Sequence, residues 1–216
     1  MVTKTSSTAQ VDTISTERMR QTAIAAIVGG ILVISFTIAT VAFGVETNTS
    51  EEARVGILYA LGALLIVGGL YGVHETAKAA YGRLATGVAV LLGIGLVGMA
   101  VGLLVNFAFP SVGSEDATLG GTIWFLSLVV TYLTASIYGV VLLRTRAVSR
   151  VGSALLALTV PALVVALVGA EMLVVAGIDV LGLLWFVPFG LAWVVLGNDL
   201  RTRAVAAREP TASPVA

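Results

Sequence analysis

Cysteine is missing from this chain altogether. That excludes disulfides, iron–sulfur clusters, thiolate zinc sites and thiol catalysis. Histidine occurs once, at His74, so no histidine-rich metal site forms within one subunit. Lysine occurs twice, against ten arginines. Charge is scarce: 11% of residues, where a soluble domain carries about 25%. Such a chain cannot cover its surface with polar groups, and with 58% hydrophobic residues its natural solvent is a bilayer. Also absent are a Gly-rich phosphate loop, a His-Glu-x-x-His or Gly-x-Ser-x-Gly motif, a soluble segment large enough to hold a nucleotide, and a basic surface interleaved with aromatics. No cofactor, metal or nucleic-acid partner is expected; the expected partners are the lipid bilayer and other membrane subunits or further copies of this chain.

What is present is a series of long apolar runs. They cover residues 22–45, 55–73, 84–109 (stopped by Pro110), 121–143, 151–170 and 178–197. The fifth ends at Ala170 or continues past Glu171 to Gly177. Each is close to or above the ~18 residues that cross a bilayer, and with no water in hydrocarbon each must close its own backbone hydrogen bonds as a helix. The first run has 24 uncharged residues, too long for the h-region of a signal peptide, so it reads as a retained helix. The expected fold is all-α, a polytopic transmembrane bundle of six helices over residues 22–197. Residues 1–21 read as a disordered cytoplasmic tail and 198–216 as a second cytoplasmic tail.

Under six crossings, eleven of the twelve Lys and Arg residues fall on one side, and Arg54 alone on the other. The opposite loops hold Glu46, Glu51, Glu52, Glu115, Asp116, Glu171 and Asp179. The positive-inside rule then places both termini in the cytoplasm of a multi-pass cell-membrane protein.

The chain also repeats itself. Ile137-Tyr-Gly-Val140 echoes Leu70-Tyr-Gly-Val73 at an offset of 67, which also aligns Arg150 with Arg83 and Ser153 with Thr86. Leu143-Arg-Thr-Arg-Ala-Val148 returns as Leu200-Arg-Thr-Arg-Ala-Val205. These echoes suggest hairpins copied in parallel orientation: the second and third helices, the fourth and fifth, and the sixth with the first. Repeated in this way, the basic corner reads as a fold unit rather than a site.

Few residues suggest chemistry. Glu171 is the one carboxylate that could lie inside a helix, near the outer edge of the hydrocarbon; Asn106 could face it. His74 at an interface could carry a proton, with Glu75 pairing with Lys78 or Arg83. These three form the candidate solute or coupling site. Gly68 and Gly72, and Gly95, Gly98 and Gly102, recur at about one helical turn and suit close helix packing. Pro161 and Pro188 lie mid-run and predict kinks framing a cavity or hinge. Asp179 suits a helix N-terminus. Thr131, Tyr132, Thr134 and Ser136 carry hydroxyls along the fourth run. Trp124, Trp185 and Trp193 read as interfacial or lipid-facing.

Three features carry a resemblance: Tyr-Gly at a helix end, an Arg-initiated next helix, and Leu196-Gly197 followed by Arg201 and Arg203. From Leu70 to the C-terminus, about two thirds of the chain, the pattern is similar to small six-helix membrane proteins of archaea and bacteria with no assigned function. The resemblance implies the same fold and carries over no catalytic residue. The functional expectation is a non-enzymatic membrane subunit, scaffold or regulator. The alternatives are a permease for a small or apolar solute, and an intramembrane enzyme.

Overall fold

The computed structural model describes residues 15–42, 50–108, 119–169, 174–175, 178–179 and 181–207. Seven α-helices are described: α1 Thr16–Ala42, α2 Ser50–Ala77, α3 Arg83–Ala108, α4 Leu119–Thr145, α5 Arg150–Ala157, α6 Thr159–Gly169 and α7 Val187–Ala206. Short 3-10 turns at Lys78–Ala80 and Leu181–Trp185 join α2 to α3 and lead into α7. A two-residue antiparallel ladder pairs Val174 with Asp179 and Val175 with Ile178.

Four helices, α1 to α4, are long and apolar enough to cross a membrane. Together α5 and α6 qualify as a fifth, but they bend by 43° at the break between them. The chain is therefore a membrane protein. The apolar runs reappear as α1 to α4, extended at the N-terminal end in all four and at both ends in α2 and α4. α1 starts at Thr16, where the Ser15 hydroxyl accepts from the Arg18 N–H at 3.4 Å and Glu17 sits in the first turn. The segment read as a tail thus becomes helical before the apolar residues begin.

The sixth run departs most from expectation. It does not start a helix at Ile178, because Ile178 and Asp179 lie in the ladder, and Asp179 is not at a helix N-terminus. The helix starts at Val187 instead. Pro188, expected as a mid-helix kink, occupies the first turn of α7. Its missing N–H has no intrahelical partner to lose there, and its fixed φ suits a helix start. α7 then runs past the apolar residues into Asp199, Arg201 and Arg203, and it is not among the helices apolar enough by themselves to span.

The helices form a closed ring in which every neighbour is antiparallel. Gly29 meets Gly62 while Thr22 meets Gly72, which sets α1 against α2. Tyr59 reaches Met99, and Leu70 reaches Gly93, across α2 and α3. Gly95 lies on Thr131 and Gly102 on Trp124 across α3 and α4. Gly139 packs on Ser153 and Ala157 of α5, and Gly152 of α5 packs on Leu196 of α7. Gly30 on Gly190 and Gly197 on Ala23 close α7 back onto α1. One end of the ring, the basic end, gathers Arg20, Lys78, Arg83, Arg144, Arg146, Arg150, Arg201 and Arg203, opposite the far end.

Both surfaces of this ring are apolar. Outside, Ile94 and Leu126 are each 60% exposed, a distribution that water penalises and lipid does not. Inside, toward the far end, aromatic rings fill the centre. Phe186 touches Phe36 of α1, Tyr59 of α2, and Trp124 and Tyr132 of α4, with ring centroids 5.0–6.5 Å away, mostly edge-to-face. Trp193 is fully buried, and Trp124 and Trp185 pack against the core, so the tryptophans are internal rather than lipid-facing. A helix that is apolar on all sides gives no period from which the inward face could be read.

Candidate functional site

Two polar arrangements stand out in this apolar ring. The first lies at the basic end. α2 delivers His74 in its last turn, and the extended residue Tyr81 after the 3-10 turn sends its side chain back over it. Tyr81 Oη lies 2.6 Å from His74 Nδ1, 3.3 Å from the His74 carbonyl and 3.0 Å from Tyr138 Oη of α4. Each hydroxyl has one hydrogen. With Nδ1 unprotonated, Tyr81 donates to His74 and Tyr138 donates to Tyr81, so both hydroxyl hydrogens find acceptors. Burial pushes the Tyr81 hydroxyl above the usual tyrosine range, so it acts here as a neutral donor. Glu75, expected to pair with Lys78 or Arg83, pairs with Lys78. The chain of three rings ties the end of α2, the α2–α3 turn and α4 together.

The second arrangement sits at the α5–α6 break. Pro161 has no N–H, so the Ala157 carbonyl loses its helical donor. The Ser136 hydroxyl of α4 donates to that carbonyl at 2.9 Å and accepts from the Val160 N–H at 3.1 Å. Thr159 donates to the Leu156 carbonyl at 2.6 Å and lies 3.2 Å from Ser136 Oγ. The helix divides at Leu158, three residues before the proline, and a neighbouring helix supplies the hydrogen bonds that the break removes. A broken helix in hydrocarbon needs such a supply of partners for its freed backbone groups. Two other α4 hydroxyls are bonded: Thr134 donates to Val130 O, and Tyr132 to the Trp185 carbonyl. Trp124 Nε1, Thr131 Oγ1 and Trp193 Nε1 are buried without a partner among the described residues.

The residues expected to form one solute site are scattered. His74 lies at the basic end, while Asn106 lies near the far end of α3 against Gly120 of α4. α3 separates the two levels by roughly 25–30 Å at 1.5 Å per residue. Glu171 lies outside the described residues. The glycines sit on helix interfaces within the ring. A Cβ at Gly95, Gly98 or Gly102 would collide with Thr131, Ser127 or Trp124 of α4, and one at Gly72 with Thr22 of α1. Gly68 is looser, since a Cβ there would lie 3.5 Å from Ala25; a Cβ at its neighbour Gly69 would collide with Ala26.

The two copies of the Tyr-Gly motif occupy different surroundings. Tyr138 is fully buried and Tyr71 is 48% exposed. Gly139 packs on the following helix, α5, whereas Gly72 packs on the preceding one, α1.

Sequence reasoning missed Asp199. One of its oxygens accepts from the Ser149 N–H at 3.0 Å and from Arg203 Nε at 3.1 Å, joining α7 to the start of α5. An acid four residues before an arginine, alone among basic residues, was the available signal. Among the described residues no three His, Asp or Glu side chains gather where they could hold a metal ion.

Comparison of the chain with protein-family models, curated proteins and solved structures finds no match.

Proposed function

We propose that this chain is a six-crossing cell-membrane protein with both termini in the cytoplasm, acting as a non-enzymatic subunit, scaffold or regulator of other membrane proteins. The crossings would be α1, α2, α3, α4, the broken α5–α6 pair and α7, as in the small six-helix proteins the sequence resembles. The ring order, in which α7 packs on α1, agrees with a third hairpin made of the last and first helices. The unequal settings of Tyr71 and Tyr138 mean that any such copies have since diverged in packing.

The observation that carries the reading is the filled interior. Phe36, Tyr59, Tyr132, Phe186, Phe189 and Trp193 are buried, and they occupy the centre that a solute path would need. Most buried hydroxyls are spent on helix carbonyls, as in a packing element. Purification from native membranes under mild detergent tests this. A stoichiometric membrane partner, or a stable homo-oligomer, is the expected result. A monodisperse monomer that catalyses solute flux in proteoliposomes would contradict it.

The α5–α6 break favours a second reading, a permease for a small or apolar solute, since discontinuous helices line the sites of many transporters. Flux abolished by Ser136→Ala or Glu171→Gln would establish that alternative.

A further inference from the structure

The corner between α4 and α5 places arginines where helix chemistry disfavours them. Arg146 holds φ at 56°, the left-handed region usually left to Gly or Asn at a helix end. Arg150 opens α5, whose first turn contains no acid, so a cation sits at the positive end of the helix dipole. Arg144, Arg146 and Arg150 are all exposed. α7 brings exposed Arg201 and Arg203 alongside, because Asp199 holds both the Ser149 N–H and Arg203 through one oxygen. Asp199 pairs with Arg203 at this corner, beside the exposed Arg144, Arg146, Arg150 and Arg201. Apolar surface borders it: Val151 is 63% exposed, Val205 54% and Val140 40%.

We infer that this corner binds an anionic phospholipid. The headgroup phosphate engages the guanidinium groups of Arg146 and Arg150, and the acyl chains lie along the exposed valines of α4 and α5. An anion there offsets the crowding of like charge at this corner. The bordering valines select a lipid over free phosphate, since an inorganic ion has nothing to place against them. The inference rests on the reading that α4 and α5 enter a bilayer at this end.

The test uses the full chain in nanodiscs of mixed phosphatidylglycerol and phosphatidylcholine, with retained lipid counted by native mass spectrometry. The wild type should retain phosphatidylglycerol over phosphatidylcholine on the order of tenfold, because one basic residue near a membrane surface contributes roughly a fivefold preference. Arg146→Gln with Arg150→Gln should abolish most of that preference. Arg146→Lys with Arg150→Lys should keep part of it, which controls for misfolding. Arg54→Gln, at the far end, should leave it unchanged. Equal retention of both lipids, insensitivity to the double Gln variant, or an equal loss in Arg54→Gln overturns the inference. So does displacement of the retained lipid by millimolar inorganic phosphate, which would reassign the site to a free anion. A chain that does not enter nanodiscs at all overturns the membrane reading, and that failure is visible before any lipid is counted.

Discussion

Leu143–Val148 and Leu200–Val205 are the same six residues, Leu-Arg-Thr-Arg-Ala-Val, in two conformations. In the first, α4 ends at Thr145, Arg146 turns left-handed, and Val148 is buried at 4% exposure. In the second, the helix runs through to Ala206, Ala204 is buried and Val205 faces outward. Local propensity is identical, so the difference comes from the neighbours. Four residues before Arg203 stands Asp199, which pairs with it; the corresponding residue before Arg146 is Leu142, which supplies only its backbone carbonyl. After the first copy comes Ser149, whose hydroxyl caps α5 by accepting from the Gly152 N–H. After the second come Ala206 and Ala207, which do not interrupt a helix. A motif repeated in sequence is therefore not a unit repeated in structure: caps and partners decide its shape.

The sharpest way to break this comparison is to put the same charge at equivalent positions. Val148→Asp should cost at least ~3 kcal/mol and abolish stable purification, because it buries an unpaired carboxylate. Val205→Asp should stay within about 0.5 kcal/mol of the wild type, since that position is exposed. Equal effects in a thermal unfolding series would mean that the two copies share one environment. Next in size is Asp199→Ala, which removes the acceptor of the Ser149 N–H and the partner of Arg203. A loss of about 1–2 kcal/mol is expected, and a silent substitution would detach α7 from the α5 turn.

The two arginines should respond oppositely to glycine. Arg203→Gly in the helix should destabilise by about 1 kcal/mol. Arg146→Gly should stabilise by up to ~1 kcal/mol, because glycine adopts the left-handed region without strain. A loss at both positions would place Arg146 in ordinary helix. The smallest effect belongs to the break in α5–α6. Ser136→Ala should cost about 0.6–1 kcal/mol, the range of interhelical hydrogen bonds in membranes, and should raise amide exchange at Val160 selectively.

Much of the architecture was legible in composition. The apolar runs located α1 to α4, and the arginine-rich turns marked one end of the ring. The boundaries were less legible, because polar residues such as Glu17 and Arg203 extend helices beyond their apolar segments. The α5–α6 break escaped because Pro161 tells of a lost donor without telling where the chain yields, and Ser136, which repairs it, comes from another helix. Pro188 was misplaced because a proline in an apolar run looks the same whether it kinks a helix or starts one. Of the candidate site, His74 could be singled out as a lone titratable group, but its partners Tyr81 and Tyr138 could not. One is seven residues away across a turn, and the other belongs to α4. Asn106 and His74 lie level with opposite ends of α3, a separation that the apolar run over residues 84–109 already implied.

Because the chain lacks cysteine, single cysteines can locate both copies of the hexapeptide against the bilayer. Variants Arg146→Cys, Arg203→Cys and Arg54→Cys would be treated with a membrane-impermeant maleimide in intact cells and again after permeabilisation. Six crossings with both termini in the cytoplasm require positions 146 and 203 to be labelled only after permeabilisation, and position 54 in intact cells. Labelling of 146 and 203 from opposite sides would show that α5–α6 or α7 does not cross, and would contradict the account at its centre.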